Sequence, residues 1–296
     1  MGQMKIGITG ASGFLGGALT AALRHDGHTV VSIGRGAADI QWDPSRGAID
    51  TEACADIEVF IHLAGANVGG RWTPEHKRAI RDSRVQGTAL IANTVAAVSP
   101  RPRVLICASA IGIYGNAGNA VCDETAPTGR DFLAEVGVAW EGAAAPARRA
   151  GVRTVHLRFG IVLGSGGGAL PRMLPAFRMG AGGRLGSGQQ WMSWISLDDA
   201  VAAVRFAIAH ESLDGAVNAV APAPVTNAEF TATLARVVRR PALFPVPAVA
   251  LKLMFGEMAE GTLLVSQRVV PRRLQGAGFQ FQHPTLEAAL RAAVNA

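Results

Sequence analysis

The chain has 296 residues, 49% of them hydrophobic and 17% charged, with a formal net charge of +6. A chain this long and this apolar buries a large core, which excludes intrinsic disorder and suits one large domain with a smaller lobe. The basic residues stand singly or in short pairs such as Arg148-Arg149, Arg239-Arg240 and Arg272-Arg273. With no aromatics interleaved, they read as solvated faces plus a few arginines reserved for a small anionic ligand, and nucleic acid is not an expected partner. Cys54, Cys107 and Cys122 form neither an even set nor a C-x-x-C spacing, so neither a disulfide framework nor a metal site is expected. No apolar stretch runs the roughly 18 residues of a membrane helix without Gly, Pro or charge, and no basic-then-apolar leader opens the chain. The expectation is a soluble, cytoplasmic protein.

Residues 5–16 (KIGITGASGFLG) pass from an alternating apolar run, Ile6 and Ile8, through a turn into a helical pattern. Gly10 suits the positive φ of a tight strand-to-helix turn, Gly13 lets backbone N–H groups approach a pyrophosphate, and Gly16 lets the helix pack on the strand. The helix start then offers free donors and its positive dipole end to the phosphates. The segment predicts dinucleotide binding by Thr9, Gly10, Ser12, Gly13, Phe14, Leu15 and Gly16. The next strand, 29–33, ends at Gly34-Arg35-Gly36. An acid at that place holds the ribose hydroxyls, whereas an arginine accommodates a 2′-phosphate. Arg35, with no acid before Asp39, favours NADP(H) over NAD(H).

Strand 58–63 runs into the small pair Ala64-Gly65, which lets the backbone pass close to a cofactor. A long helix follows over 74–98, with Thr73 as cap and Pro74 in its first turn. Strand 103–108 ends at Ser109, a helix is expected over 129–150, a strand over 153–157, and a glycine-rich exit over 159–168. Strands alternating with helices in this way give a doubly wound parallel sheet. Beyond it come a helix and glycine loop over 169–188, a lead-in over 190–196, a helix over 198–209 and a strand over 215–220. From residue 221 the pattern is mainly helical. The expected organisation is a dinucleotide domain of 1–168 joined by 191–220, with 169–190 and 221–296 as a smaller lobe over the cofactor mouth.

The G-x-x-G-x-x-G spacing resembles the extended short-chain dehydrogenase/reductase superfamily. Further segments sharpen the likeness: HLAGANVGGRWTPEHKRAIRDSRVQGT (62–88), CASAIGIYG (107–115), DETAPTGRDFLAEVGVAWE (123–141), WMSWISLDDA (191–200), PVTNAEF (224–230) and GEMAEGTLLVSQRVVPRRLQGAGFQF (256–281). Together they are similar to an atypical branch of epimerase-family, nucleoside-diphosphate-sugar epimerase-like proteins with their own C-terminal segment. The resemblance implies an α/β fold of Rossmann type and cofactor contacts from Leu63, Ala64, Gly65, Arg84 and Ser109. It also implies a catalytic Ser or Thr at the end of the strand before Ser109, then Tyr-x-x-x-Lys, in which Tyr is the acid/base and Lys lowers its pKa. Ser109 is expected in the first place. Anchored on Trp140-Glu141, the Tyr place falls on Leu133 and the Lys place on Gly137, and neither moves a proton. Arg84 stands where the family has Asn. The single tyrosine of the chain, Tyr114, lies just after Ser109 and is the candidate substitute acid/base.

Arg71, Lys77, Arg81 and Arg84 are either a solvated helix face or a clamp for a carboxylate or phosphate. Two readings remain open. One is an NADP(H)-dependent oxidoreductase or epimerase-like enzyme on a small polar substrate, an anionic one included; the other is a non-catalytic NADP(H)-sensing or binding protein. Arg35→Ala should remove about 1.5–3 kcal/mol of preference for NADPH over NADH, read as the difference in thermal stabilisation by the two cofactors at equal concentration.

Overall fold

Residues 2–295 are described by the computed structural model. The chain begins with β1 (Lys5–Thr9), whose Ile6 and Ile8 are fully buried, and turns at Gly10 into α1 (Phe14–His25). Strands β2 (Thr29–Gly34), β3 (Ile40–Asp43), β4 (Ala48–Ile49) and β5 (Val59–His62) precede the long α2 (Pro74–Ala97), whose cap Thr73 accepts the His76 N–H at 3.2 Å. Next come β6 (Val104–Ala110), the short β7 (Val121–Cys122), α3 (Phe132–Gly142), α4 (Ala145–Arg149), β8 (Arg153–Phe159) and β9 (Ile161–Leu163). The remainder is α5 (Leu170–Arg178), β10 (Trp191–Met192), β11 (Trp194–Ser196), α6 (Leu197–Ala209), β12 (Gly215–Ala219), β13 (Val225–Thr226), α7 (Asn227–Val238), α8 (Ala248–Phe255), β14 (Arg268–Val269), α9 (Arg272–Gly276) and α10 (Leu286–Asn295).

Eight strands form one sheet in the order β12-β8-β6-β5-β1-β2-β3-β4, parallel except for the antiparallel β3–β4 pair. Helices α1 and α6 cover one face, packing Leu19, Leu23 and Val204 near Ile6, Ile106 and Leu157. Helices α2 and α4 cover the other, with Ile91, Val95 and Ala147 beside Phe60 and Leu105. Burial on both faces is why the strands read as continuous apolar runs. This is the doubly wound Rossmann-type sheet expected from the alternation of elements. From β1 the order runs to β2 on one side and to β5 on the other, so a topological switch point opens a crevice at the carboxyl ends of these strands.

Two local expectations are corrected. The helix expected over 129–150 is two helices, because Pro146 lacks an N–H and would clash inside a continuous helix; it occupies the first turn of α4. The glycine-rich exit begins as strand: β8 reaches Phe159, and β9 pairs in parallel with β11, matching Ile161 to Trp194.

Helices α5, α7 and α10 and strands β9 and β11 share a second core around Phe177, Trp194, Phe230 and Leu290. The last segment is stitched back onto the loop that follows β6. Strand β14 pairs with β7, Gln267 donates to the carbonyls of Ile111 and Gly115, and Ser193 bridges Gln267 and Val269. Among the described residues no helix is long and apolar enough to cross a membrane.

The turn between β1 and α1 has almost no spare room. A Cβ on Gly16 would stand 2.0 Å from the Gly10 carbonyl oxygen, whereas one on the adjacent, exposed Gly17 would meet only the Ala11 carbonyl at 3.8 Å. Gly16→Ala should therefore cost about 3 kcal/mol or more, because the helix must lift off the strand, while Gly17→Ala should be neutral or stabilise by up to about 1 kcal/mol. Denaturant midpoints of the two variants, measured side by side, check this contrast.

Candidate functional site

At the switch point, Gly10 adopts φ 72°. A Cβ there would lie 3.0 Å from the Ala64 nitrogen and from the Leu63 carbonyl carbon, so the exit of β5 runs directly against the glycine turn. Thr9 binds the two together: its Oγ1 accepts the N–H groups of Leu63 (3.2 Å) and Ala64 (3.3 Å) and lies 2.7 Å from His62 Nδ1. His62 is fully enclosed, and burial, assisted by the charge of Arg84, pushes its pKa down to about 4, so the ring is neutral.

Gly13 is the N-cap of α1 in an extended conformation, and no side chain caps the helix. The N–H groups of the first turn, Phe14 and Leu15 among them, therefore remain available to an anion. Gly13 and Ser12 are exposed on the same rim. The Phe14 ring is packed against the loop 164–168, where a Cβ on Gly167 would meet it at 2.7 Å, so Phe14 offers its backbone and not its ring. Arg35 is exposed just past the end of β2. The nearest acid in sequence, Asp39, is already occupied: the Ser32 hydroxyl (2.7 Å) and N–H (2.8 Å) bind its carboxylate and hold it below the usual carboxylate range. A glycine turn without room for side chains, an uncapped helix start and an unopposed arginine fit a dinucleotide carrying a 2′-phosphate.

Arg84 lies beside Gly65, where a Cβ would approach its guanidinium carbon at 3.4 Å. Its Nη1 donates to the carbonyls of Ala66 (3.0 Å) and Ile80 (3.1 Å), and the guanidinium lies 4.9 Å from the Trp140 ring. Burial with no carboxylate beside it pulls its pKa down to about 10. Of the other cationic rim candidates, Lys77 is bound to Glu257 at 2.8 Å, while Arg71 and Arg81 are exposed.

The two hydroxyls expected to be catalytic are both buried. Side chains alternate along a strand, and at the end of β6 it is Ala110 that is exposed, with Ala108 half-buried on the same face. Ser109 turns the other way, is 3% exposed and donates to Glu141 Oε1 of α3 at 2.7 Å. Arg158 of β8 grips both oxygens of that carboxylate at 2.8 Å and donates through Nη1 to the Tyr114 hydroxyl at 2.9 Å. Tyr114, also 3% exposed, donates in turn to Asn218 Oδ1 at 2.7 Å, and Asn218 Nδ2 donates to the Val270 carbonyl at 3.0 Å. Burial pushes the Tyr114 phenol up to about 12 despite the opposing charge and hydrogen bond of Arg158. In this geometry Ser109 and Tyr114 are both enclosed and both bonded to the Arg158–Glu141 ion pair.

Leu133 and Gly137, at the Tyr and Lys places, lie on the side of α3 that rests on the 3-10 turn Ile111–Tyr114. A Cβ on Gly137 would stand 3.0 Å from Ile113 Cβ, so this face of the helix is closed by contact with the turn. In front of Leu133 is a cavity of about 290 Å³, with Trp72, Phe132 and Glu260 among its walls. Trp194 is fully buried and donates to the Ala223 carbonyl, whereas Trp191 is half-buried beneath Arg268, whose guanidinium lies 4.3 Å from its ring. The sequence reading missed Arg158, Asn218, Trp72 and Phe132. A charge inside the apolar run of β8 was the available signal for Arg158, since buried charges are nearly always paired.

The glycine turn, the uncapped α1 and the crevice at the switch point define a dinucleotide-binding protein of the extended short-chain dehydrogenase/reductase type. Residues 6–219 match the NAD dependent epimerase/dehydratase family, and residues 246–293 match a domain of unknown function. An epimerase family protein of Mycobacterium tuberculosis is 46% identical over 295 residues, 98% of this chain and 97% of that protein. The human epimerase family protein SDR39U1, in a crystal structure with NADPH, is 32% identical and superposes with a TM-score of 0.89 over 99% of both chains. A nucleoside-diphosphate sugar epimerase of Corynebacterium glutamicum is 33% identical with a TM-score of 0.81, covering 99% of this chain and 59% of that one. The chain belongs to the NAD dependent epimerase/dehydratase family.

Acid should unfold the protein in two stages. Burial holds His62 and His156 near pKa 4 in the fold, against about 6.5 when unfolded, so the unfolded state takes up protons first and stability falls from about pH 6.5 downward. Burial raises the Glu141 pKa, but the hydrogen bonds and charge of Arg158 outweigh it and leave the carboxyl below its ordinary value. Its stabilisation is thus complete above the unfolded pKa of about 4.3 and is lost as pH falls through the lower folded value. Glu141→Gln should cost about 3–5 kcal/mol at neutral pH by leaving Arg158 buried without its partner, and should remove the lower stage of the profile. Urea unfolding of both proteins across pH 3.5–8 is the measurement.

Proposed function

We propose that the protein binds NADP(H) and acts as an oxidoreductase or epimerase-like enzyme on a small polar substrate, without a Tyr/Lys pair. The observation that carries this reading is the uncapped start of α1 behind the Gly10–Gly16 turn, with Arg35 free at the end of β2 and Asp39 engaged by Ser32. In this reading the first-turn N–H groups of α1 hold the pyrophosphate, Arg35 holds the 2′-phosphate, and Leu63, Ala64, Gly65 and Arg84 line the path toward the nicotinamide end. NADPH, when bound, supplies a hydride. The solved complex of human SDR39U1 with NADPH supports the cofactor assignment. Ala110 leaves the end of β6 without a hydroxyl at the crevice, and Leu133 and Gly137 offer no proton relay, so a proton would have to come from a group outside the family pattern.

That same absence favours a second reading, in which NADP(H) occupancy sets the position of the C-terminal lobe and no reaction follows. NADPH consumption against a panel of carbonyl compounds and nucleotide sugars separates the two. The cofactor site itself is tested by Gly13→Val, which places a branched side chain at the cap of α1. NADPH at 100 times its Kd should stabilise the wild type by about 2.7 kcal/mol and the variant by almost nothing. An unchanged thermal shift in the variant would place the phosphates elsewhere.

A further inference from the structure

We infer that the cavity in front of Leu133 is the substrate site, and that it takes a compact, uncharged ring compound with hydroxyl donors and a carbonyl, not a nucleoside diphosphate sugar. The inference deepens the enzyme reading above and rests on it. The cavity, about 290 Å³, falls just below the roughly 300–1,000 Å³ of sites for drug-sized ligands, which suits a compact one. It begins at Leu133, the place that the family pattern gives to the acid/base.

Its walls divide by chemistry. Trp72, Phe132, Leu133 and Val265 supply apolar surface, and the Trp72 and Phe132 rings meet edge to face at 5.1 Å. The polar wall consists of Asn116 with the carboxylates of Asp131, Glu257 and Glu260, and no Lys or Arg lines it. Glu257 and Glu260 are each paired with a lysine that is not itself part of the lining, Lys77 at 2.8 Å and Lys252 at 2.5 Å. A diphosphate in this space would face three carboxylates whose nearby cations, Lys77 and Lys252, are already engaged by Glu257 and Glu260, whereas a ligand hydroxyl could donate to those two glutamates. Aromatic walls facing acceptor oxygens suit a ring that carries donors.

The C-terminal segment closes this cavity. Ala259–Leu263 is a single π turn, a form that recurs at functional sites. It lays Gly261 flat against Trp72: a Cβ there would stand 2.7 Å from the indole Cη2. Lys77 holds the same segment against α2, since its ammonium binds Glu257 and lies 4.4 Å from the centre of the Phe132 ring. Residues 246–293, which match a domain of unknown function, thereby acquire a role as the outer wall of the substrate site.

Isothermal titration of the NADPH-loaded protein tests this with three probes: para-hydroxyacetophenone, a hydroxycyclohexanone and UDP-glucose. At least one ring ketone should bind, and UDP-glucose should bind at least tenfold more weakly. Gly261→Val, which pushes a side chain into Trp72, should weaken the ketone tenfold or more. Glu260→Ala alters an exposed residue that the fold tolerates, and should weaken it about threefold to tenfold, with the thermal shift by NADPH unchanged in both variants. Binding of neither ketone, tighter binding of UDP-glucose, or ketone affinity indifferent to Glu260→Ala would overturn the assignment. The titration repeated without cofactor separates the two levels. Loss of the NADPH shift in the wild type removes the cofactor reading, while ketone binding that still responds to Glu260→Ala keeps the cavity assignment.

Discussion

The grip of Arg158 on both oxygens of Glu141 organises the part of the molecule that the glycine turn does not. Two charges this deeply enclosed are stable only when the geometry is good and the remaining donors and acceptors are satisfied. The structure meets that condition by drawing in Ser109 from β6, Tyr114 from the following turn and Asn218 from β12. A helix, two adjacent strands, a further edge strand and the C-terminal segment are therefore fixed to one another by a single chain of polar contacts. The position of α3 over the Ile111–Tyr114 turn follows from it, and so does the shape of the crevice in front.

Much of the cofactor end was legible in the residues because its requirements are local. A turn with positive φ at Gly10, an uncapped helix start at Gly13 and a helix too close to its neighbour for any side chain at Gly16 are properties of a dozen consecutive residues. The alternation of elements likewise gave the sheet, although Pro146 divides a stretch whose apolar pattern alone suggested one helix. The catalytic end was less legible because strand side chains alternate with period two. Neighbouring residues Ser109 and Ala110 lie on opposite faces of β6, and which face each takes is not visible in the sequence. Tyr114 is the one phenol of the chain and stands five residues after that serine. Its partners, Arg158 and Asn218, lie 44 and 104 residues away, a separation at which sequence offers no guidance.

The C-terminal segment shows the same limit more strongly. Ser266 donates to the Gly118 carbonyl and Gln267 to those of Ile111 and Gly115, contacts that span about 150 residues. Arg273 N–H and Asn218 N–H share Glu124 Oε1, so α9 and β12 meet on one carboxylate. Helical pattern in the sequence marks this region as a lobe over the cofactor mouth, but the particular contact of Gly261 with Trp72 becomes visible only in the fold.

The contact between Gly137 and Ile113 bears on redesign as well as on packing. Gly137→Lys would bring a Cβ to 3.0 Å from Ile113 Cβ, so the isoleucine has to give way by a few tenths of an ångström before the amine can be aimed. Leu133, at the other place of the pair, rests on the same turn, where a Cβ on Gly112 would meet it at 3.5 Å. Installing the Tyr/Lys pair is therefore a matter of reshaping the turn together with the helix, and not of exchanging two side chains.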